Sequence, residues 1–192
     1  GHAERQREMS MRRALFLDRD GVINVDHGYV CTPERTDFID GVFELCHAAK
    51  QYGFLLVVIT NQAGIARGYY TEQQFLEYMD WMRAVFEHHG APLDAVYHCP
   101  HHPTHGIGDY RRECACRKPA PGMILRAKRD LELDLARSTL VGDKASDVAA
   151  GRAAGVGFCI QIKPVPKSGD STSLAIAPAD RECVLARLVQ ES

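Results

Sequence analysis

The chain has 192 residues, of which 45% are hydrophobic and 25% are charged, and its formal net charge is −2. This length fits one domain with a substantial core, and the charge balance excludes the basic excess typical of nucleic-acid-binding proteins. No apolar stretch reaches the roughly 20 residues that span a bilayer, so we expect no membrane insertion. Residues 1–13 are polar and lack the apolar centre of a secretory signal, which predicts a flexible N-terminal segment on a cytoplasmic protein. The modest charge favours a monomer.

Short apolar runs alternate with segments of helical spacing along residues 14–192. The predicted elements are, in chain order, strand 14–17, helix 41–52, strand 54–59, helix 71–89, strand 95–98, loop 99–117, helix 121–133, strand 139–141, helix 147–154, strand 156–162, loose loop 163–180 and helix 181–190. Strands that alternate with helices predict a parallel sheet with helices on both faces. We therefore expect residues 14–192 to form a single α/β domain around a three-layer, Rossmann-like sheet.

Polar side chains follow three of the predicted strands. Asp18 and Asp20 follow the first strand, Thr60 and Asn61 the second, and Asp143 the fourth. The carboxyl ends of parallel strands lie along one edge of a sheet, where ligands bind. A carboxylate at that edge can attack phosphorus, and a second carboxylate can protonate the leaving alcohol and then activate water. An aspartate pair alone is more often a turn or a cap, so this interpretation depends on the other strand ends.

The remaining residues of this edge suit phosphate and metal binding. The hydroxyl and the amide after the second strand can donate hydrogen bonds to phosphate oxygens. The ammonium of Lys118 can neutralise charge that builds on a phosphoryl group during its transfer. Asp18 and Asp143 can supply the one or two carboxylates that Mg²⁺ prefers. Asp147 has two open roles, either as the cap of the next helix or as a residue that orients the site.

Four potential zinc ligands lie at the two ends of the loop 99–117. They are Cys99, His101, Cys114 and Cys116. Three thiolates and one imidazole make a tetrahedral Zn²⁺ site, and a closed set of four ligands is structural rather than catalytic. Such a site would fix the long loop that carries Lys118 to the edge of the sheet. One alternative is a set of free surface thiols. Another is a different ligating histidine, for which the candidates are His98, His102 and His105.

The order of these residues resembles the haloacid dehalogenase superfamily. The four matching segments are Asp18-Arg19-Asp20-Gly21, Thr60-Asn61, Lys118-Pro119 and Gly142-Asp143. The resemblance implies that Asp18 is the nucleophile, which forms an aspartyl-phosphate, and that Asp20 is the general acid/base. It also implies that Thr60 and Lys118 bind the phosphoryl group. The Mg²⁺ ligands that it implies are Asp18, Asp143 and the main-chain oxygen of Asp20.

Longer segments resemble one family of that superfamily, the phosphatases that remove the 7-phosphate of heptose 1,7-bisphosphate. These segments are residues 18–30, 60–68, 99–103 and 114–123. The resemblance implies an enzyme with Mg²⁺ and a zinc loop, without a large cap domain. It would act on a small sugar bisphosphate during the synthesis of nucleotide-activated heptose for bacterial lipopolysaccharide or other surface polysaccharide. The substrate contacts that the resemblance implies are Arg19, Asp26, His27, Gly28, Tyr29, Asn61, Gln62, Ala63, Arg117 and Lys144.

Two other functions fit parts of the sequence. A histidinol-phosphatase of the same superfamily would share the zinc loop and the catalytic residues, but its substrate is a monophosphate. Arg117 favours the bisphosphate, because a second phosphate needs a further cationic anchor and Arg binds phosphate bidentately. A non-catalytic binding module that zinc holds together would need only the loop 99–117, and the complete catalytic set argues against it.

Overall fold

The computed structural model of the chain describes residues 1–192, apart from the side chains of Glu8, Asp170 and Ser171. Its central strands are β1 (Arg13–Leu17), β2 (Phe54–Asn61), β3 (Ala95–Cys99), β4 (Thr139–Gly142) and β5 (Phe158–Gln161). They form a parallel sheet in the order β3-β2-β1-β4-β5. The strands are rich in Val, Leu, Ile and Phe, as expected for strands buried on both faces.

The helices are α1 (His2–Ser10), α2 (Val42–Gln51), α3 (Ala63–Ala66), α4 (Glu72–His88), α5 (Gly122–Leu131), α6 (Ala145–Ala154) and α7 (Pro178–Gln190). Five of them cover the two faces of the sheet. Apolar side chains of α2, α4 and α7 pack on one face, and those of α5 and α6 pack on the other. The predicted α/β fold, with a parallel sheet between two helical layers, is confirmed.

Strand β1 shows how the sheet separates its two cores. Leu15 and Leu17 lie in the core under α2 and α4, whereas Ala14 and Phe16 lie in the core under α5. This alternation follows from the strand period of two. The residues just after β1 continue to alternate, and this decides which of them face the site at the end of the strand.

The structure changes three of the predicted elements. The stretch 163–180, expected to be a loose loop, contains an antiparallel hairpin of β6 (Val165–Lys167) and β7 (Asp170–Ala175). Gly169 closes the hairpin with a φ of 82°, which glycine adopts without strain. Helix α7 begins at Pro178 rather than residue 181, because proline suits the first turn of a helix. The segment 1–13, expected to be flexible, contains α1.

The start of α4 agrees with the sequence pattern. Thr71 accepts a hydrogen bond from the Gln74 amide at 3.0 Å, and its own amide donates to the Gln74 side chain at 2.8 Å. This reciprocal pair is the predicted capping box. Within the described residues, no helix combines the length and the apolar character needed to cross a bilayer.

Candidate active site

A buried ammonium group lies at the carboxyl edge of the sheet. The Lys118 Nζ atom is 3.0 Å from Asp18 Oδ1, 2.7 Å from Asp147 Oδ1 and 2.9 Å from the main-chain oxygen of Ile59. Burial by itself lowers the pKa of Lys118, but the carboxylates of Asp18 and Asp147 outweigh this effect and raise it. Lys118 is therefore a permanent cation between two of the acids.

The sequence left two roles open for Asp147, either as the cap of the next helix or as a residue that orients the site. The structure gives Asp147 the second role and part of the first. Its Oδ2 atom accepts hydrogen bonds from the amides of Asp143 and Lys144, at 3.1 and 3.0 Å. Its Oδ1 atom pairs with Lys118. Both carboxylate oxygens are thus occupied, and the residue is only 1% exposed. Asp147 fixes the loop that carries Asp143 and also holds the lysine.

The geometry of Asp18 and Asp143 fits a divalent cation. Carboxylate oxygens of Asp18, Asp143 and Asp147 lie within 4.8 Å of one another. The ammonium groups of Lys118 and Lys144 act on these acids, so three carboxyl groups face two cations. Asp143 Oδ1 is buried and, among the described residues, has no hydrogen-bond partner. Oxygen ligands with excess negative charge are the donors that Mg²⁺ requires.

Two further observations support a cation at this position. Burial raises the pKa of Asp18 to about 8, even though the charge of Lys118 lowers it. A divalent cation beside the carboxylate would reverse that shift, because the charge of an ion dominates its local electrostatics. Gly21 leaves room for Asp143, since a Cβ atom at residue 21 would lie 2.0 Å from Asp143 Oδ2.

Three side chains hold the carboxylate of Asp20. Arg19 and Asn24 donate to its Oδ1 atom at 2.8 and 3.1 Å, and Gln62 donates to its Oδ2 atom at 3.3 Å. Oδ1 therefore has two donors, whereas Oδ2 has one and keeps a free lone pair. The carboxylate is fixed in orientation and still has an oxygen that can carry a proton.

The prediction that Arg19 contacts substrate is wrong for its side chain. This side chain is 0% exposed, and it donates to Asp20 and to the main-chain oxygen of Val30. Its guanidinium lies 5.1 Å from the ring centre of Tyr78. Because neighbouring residues of an extended segment point to opposite sides, Arg19 turns into the core while Asp18 and Asp20 turn to the cleft.

The residues at the end of β2 mainly organise the site. Asn61 Oδ1 accepts from the Lys118 amide at 3.0 Å, and Asn61 Nδ2 donates to the Lys118 carbonyl at 3.1 Å. Asn61 was expected to donate to phosphate, but its side chain fixes the Lys118 main chain. Thr60 is fully buried, and its hydroxyl accepts from Gln62 at 2.8 Å. That hydroxyl keeps its own proton for donation.

Gln62 is also tied into the protein, by a residue that the sequence analysis did not select. The Tyr70 hydroxyl donates to Gln62 Oε1. Gln62 is 2% exposed and its amide bonds to Thr60 and Asp20. No local pattern singles out Tyr70, which follows a short helix and a turn.

A cleft of about 590 Å³ opens above these residues. Most of the predicted substrate contacts line it, together with Asp18, Asp20 and Lys118. The lining predicted contacts are Asp26, Gly28, Tyr29, Asn61, Gln62, Ala63, Arg117 and Lys144. His27 is not among the lining residues, and its imidazole instead pairs with Asp37 at 2.7 Å. The prediction that the His27 side chain contacts substrate therefore lacks support from this geometry.

The loop that bears Tyr29 is held from behind by Arg35. The Arg35 guanidinium donates to the carbonyls of His27 and Gly28, both at 3.1 Å. Asp26 Oδ1 accepts from the Gly28 amide at 3.0 Å. These bonds fix one wall of the cleft in the absence of a covering domain.

The four predicted zinc ligands lie together at the end of β3. They are Cys99, His101, Cys114 and Cys116, and their ligand atoms lie within 4.8 Å of one another. In a tetrahedral site with Zn–S bonds of about 2.3 Å, sulfur atoms lie about 3.8 Å apart. Cys114 Sγ is 3.5 Å from Cys99 Sγ and 3.4 Å from Cys116 Sγ. Cys99 and Cys116 are closer, at 2.8 Å, and would separate around a metal. The cluster fits Zn²⁺.

The side chains of the three alternative histidines make other contacts. His98 pairs with Glu72 at 2.6 Å, His102 Nδ1 accepts from the main-chain amide of His105 at 3.0 Å, and the rings of His102 and His105 lie 4.9 Å apart. His101 Nδ1, in contrast, is 3.4 Å from Cys116 Sγ. The loop also reaches the cleft, because Arg117 lines it. The Arg117 guanidinium donates to the His101 carbonyl at 3.3 Å.

Comparisons with known proteins agree with this geometry. A family model described as HAD-hydrolase-like matches residues 115–160. The D-glycero-α-D-manno-heptose-1,7-bisphosphate 7-phosphatase of Burkholderia mallei is 60% identical over 150 residues, which cover 78% of this chain and 79% of that protein. The D-glycero-β-D-manno-heptose-1,7-bisphosphate 7-phosphatase of Vibrio cholerae is 49% identical over 172 residues, which cover 88% and 92%.

Solved structures give the same result. The D,D-heptose 1,7-bisphosphate phosphatase from B. bronchiseptica, complexed with magnesium and phosphate, has a TM-score of 0.72 and 29% identity, and covers 94% of this chain and 99% of its own. A HAD-like phosphatase from Mesorhizobium loti has a TM-score of 0.82 and 31% identity, with coverages of 95% and 88%. From its identity to these relatives over most of their length, the chain belongs to the D-glycero-D-manno-heptose-1,7-bisphosphate 7-phosphatase family of the haloacid dehalogenase superfamily.

Proposed function

We propose that this chain is a Mg²⁺-dependent phosphatase that hydrolyses the 7-phosphate of D-glycero-D-manno-heptose 1,7-bisphosphate through an aspartyl-phosphate. One observation carries the proposal, namely the ion pair of Lys118 and Asp18 at 3.0 Å beside the unpartnered Asp143 Oδ1. A nucleophile, a cation and a metal ligand thus share one edge of the sheet. The relatives at 60% and 49% identity are named for this reaction.

In the first step, a carboxylate oxygen of Asp18 attacks the phosphorus of the 7-phosphate. The bond between phosphorus and the sugar oxygen breaks, and Asp20 gives its proton to that oxygen as the alcohol leaves. Oδ2 is the Asp20 oxygen available for this transfer, because Oδ1 already accepts from Arg19 and Asn24. Lys118 donates to the transferring phosphoryl group and balances its charge.

In the second step, water attacks the phosphorus of the aspartyl-phosphate. Asp20, now a carboxylate, takes a proton from this water, and the bond between phosphorus and Asp18 breaks. The products are inorganic phosphate and the free Asp18 carboxylate. Bound to Asp18 and Asp143, with the main-chain oxygen of Asp20 as the further ligand that we propose, Mg²⁺ would neutralise charge on the phosphoryl oxygens.

The cleft offers separate anchors for the rest of the substrate. Arg117 and Lys144 line it and supply two cations besides Lys118, as a bisphosphate requires. Asp26 and Tyr29 also line the cleft and suit sugar hydroxyls. We propose the α anomer as the preferred substrate, because the 60% identical relative is named for it and the 49% identical relative for the β anomer. The product would enter the synthesis of nucleotide-activated heptose for bacterial surface polysaccharide.

Phosphate release from a substrate panel tests the proposal. The panel contains both anomers of the heptose bisphosphate and histidinol phosphate, and NMR of the product identifies which phosphate is lost. We expect heptose 1-phosphate as the product and the highest kcat/KM with the α anomer. Faster turnover of histidinol phosphate, or loss of the 1-phosphate, would reject the proposed substrate.

A second experiment tests the nucleophile. Asp18→Asn removes the attacking carboxylate and keeps the size of the side chain, so kcat should fall by about three orders of magnitude or more. Asp80→Asn is the matched control, since Asp80 is an exposed acid on α4 and away from the cleft. An Asp18→Asn enzyme with activity close to that of Asp80→Asn would refute the covalent route.

We further propose that residues 14–192 act as one phosphatase domain and that the protein is a cytoplasmic monomer. The seven cysteines form no disulfide among the described residues, which suits a reducing compartment. Sedimentation equilibrium at micromolar concentration should return the 21.3 kDa mass of a single chain, and a mass twice as large would contradict the monomer.

A further inference from the structure

Hydrogen bonds hold both carboxylate oxygens of Asp20. Packing against the core explains the donors to only one of these oxygens. Arg19 and Asn24 hold Oδ1 from the core side. Oδ2, the oxygen left free for the proton, is approached by Gln62 Nε2 at 3.3 Å. The orientation of the Gln62 amide therefore decides which hydrogen bond holds Asp20 Oδ2, the oxygen that acts as the acid.

An amide has two orientations, and Tyr70 selects one of them. With Oε1 toward the Tyr70 hydroxyl, Gln62 Nε2 can donate to both Asp20 Oδ2 and Thr60 Oγ1. If the amide were reversed, Oε1 would face Asp20 Oδ2. It would meet a second acceptor when Asp20 is a carboxylate, and it would accept the acid proton, and so turn it away from the leaving oxygen, when Asp20 is protonated. Gln62 is 2% exposed, so water cannot compensate for the reversal.

The chain around Tyr70 is built to deliver this hydroxyl. The ring of Tyr70 lies directly over Gly64, where a Cβ atom would come within 2.4 Å of it. The turn before it uses Gly68, with a φ of 76°, and the Tyr69 amide donates to the Gly64 carbonyl at 2.9 Å. A side chain at residue 64 or a different turn at residue 68 would move the ring away from Gln62.

We infer that Tyr70 is a positioning residue that acts through Gln62 to hold Asp20 Oδ2 in place for proton transfer. The inference rests on the proposed function, in which Asp20 protonates the leaving alcohol. A leaving group that needs no proton should then be independent of Tyr70. This difference separates positioning of the acid from a general structural effect.

Tyr70→Phe tests the inference with two kinds of substrate. An alkyl phosphate needs the acid, whereas p-nitrophenyl phosphate has a stable leaving anion and needs it little. The value of kcat/KM reports the first step in both cases. We expect Tyr70→Phe to lower kcat/KM for the alkyl phosphate by about tenfold, a part of the roughly 10²–10⁴-fold that general acids contribute. For p-nitrophenyl phosphate the change should stay within about twofold.

A double-mutant cycle shows whether Tyr70 acts through Gln62. Gln62→Leu should itself slow the alkyl phosphate, and Tyr70→Phe should add no further loss in that background. Tyr78→Phe is the control, because it removes a different tyrosine hydroxyl, bonded to Thr36, and should leave both substrates unchanged. Equal slowing of both substrates by Tyr70→Phe, or an undiminished effect in Gln62→Leu, would overturn the inference.

These outcomes are independent of the identity of the natural substrate. If the wild-type enzyme does not hydrolyse heptose bisphosphate, the proposed function fails, but any alkyl phosphate that it does hydrolyse still tests Tyr70. If it hydrolyses heptose bisphosphate and the two leaving groups respond equally, the inference on Tyr70 fails and the proposed function stands.

Discussion

Asp147 offers the sharpest test of how the site is held together. Asp147→Asn keeps the shape of the side chain and an oxygen that can accept from the amides of Asp143 and Lys144. It removes the charge that pairs with Lys118 Nζ at 2.7 Å. Asp147→Ala removes both functions. The two variants therefore separate the charge of the residue from its role in fixing the loop.

The contacts set the size of the expected effects. A hydrogen bond to a charged group contributes about 1.5–3 kcal/mol, and Asp147→Asn loses one of them. Lys118 keeps Asp18 and the Ile59 carbonyl, so the roughly 3–5 kcal/mol for a stranded buried charge is not reached. We expect a loss of about 2 kcal/mol for Asp147→Asn. Asp147→Ala also leaves two amides unpaired, at about 1 kcal/mol or more each, and should lose about 4 kcal/mol.

Urea unfolding at saturating Mg²⁺ measures both values. The cation is needed because, without it, removal of one of three neighbouring carboxylates relieves repulsion and hides part of the loss. The difference between the free energies of unfolding of the two variants is the quantity of interest. If Asp147→Asn and Asp147→Ala were equally stable, the hydrogen bonds to the loop would contribute nothing and the reasoning would be refuted.

Three further changes probe the metals and the charge of the site. Gly21→Ala places a Cβ atom 2.0 Å from Asp143 Oδ2, so we expect Mg²⁺ affinity by calorimetry to fall by about tenfold or more. Cys116→Ser should abolish stoichiometric zinc in elemental analysis and lower Tm by about 10 °C, because metal binding and loop folding are coupled. In metal-free protein, native Asp18 holds a proton between its ordinary pKa of 3.8 and about 8, so the free energy of unfolding should fall as pH rises through that window. Saturating Mg²⁺ should flatten this slope in urea titrations at several pH values.

The two substitutions each have a matched control, and the pH dependence has an outcome that would contradict it. Gly155→Ala shares the backbone strain, since its φ is 92° against 88° at Gly21, but nothing lies within 4 Å of its Cβ position. It should cost stability and leave Mg²⁺ affinity unchanged. Cys183→Ser removes an exposed thiol and should keep the zinc. A rising stability of the metal-free protein between about pH 5 and about pH 8 would contradict the assignment of a buried proton to Asp18.

The strand ends were predictable because a simple rule of topology places them together. Asp18, Thr60 and Asp143 each follow a strongly apolar run, and parallel strands end at the same edge. Lys118 follows no strand, and its location depends on the loop 99–117. The spacing of the three cysteines predicts a zinc site that fixes this loop, although it leaves the ligating histidine open, and this site brings the lysine within reach of prediction.

Arg19 shows a signal that was present in the sequence but not used. Extended residues alternate between two sides, so a residue between two aspartates that face the cleft must point away from it. The resemblance to a phosphatase family implied a substrate contact for Arg19. The structure separates the two aspartates from the buried arginine, which pairs with Asp20 instead.

Tyr70 and the β6–β7 hairpin lay beyond sequence patterns for a different reason. The role of Tyr70 depends on its distance from Gln62, which the turn at Gly68 determines. Apart from Val165, Pro166, Leu174 and Ala175, the strands of the hairpin are polar. Strand β7 is held by main-chain bonds of Leu174 and Ile176 to Asp40. Side-chain periodicity carries no information about either contact, because the first depends on the geometry of the turn at Gly68 and the second on the distant Asp40.

The charge of the site explains why its stability and its chemistry oppose each other. Lys118 and Lys144 supply two cations for three buried or half-buried carboxyl groups, and Asp143 Oδ1 has no hydrogen-bond partner among the described residues. An ammonium bonded to Asp143 Oδ1 would satisfy that oxygen and stabilise the fold, but it would occupy the place of the metal. A site that must bind a divalent cation therefore has to contain more acidic groups than cationic groups while the cation is absent. The fold tolerates this because both carboxylate oxygens of Asp147 are bonded, one to Lys118 and the other to the loop. The unpaired charge therefore lies on the residues that we propose as metal ligands.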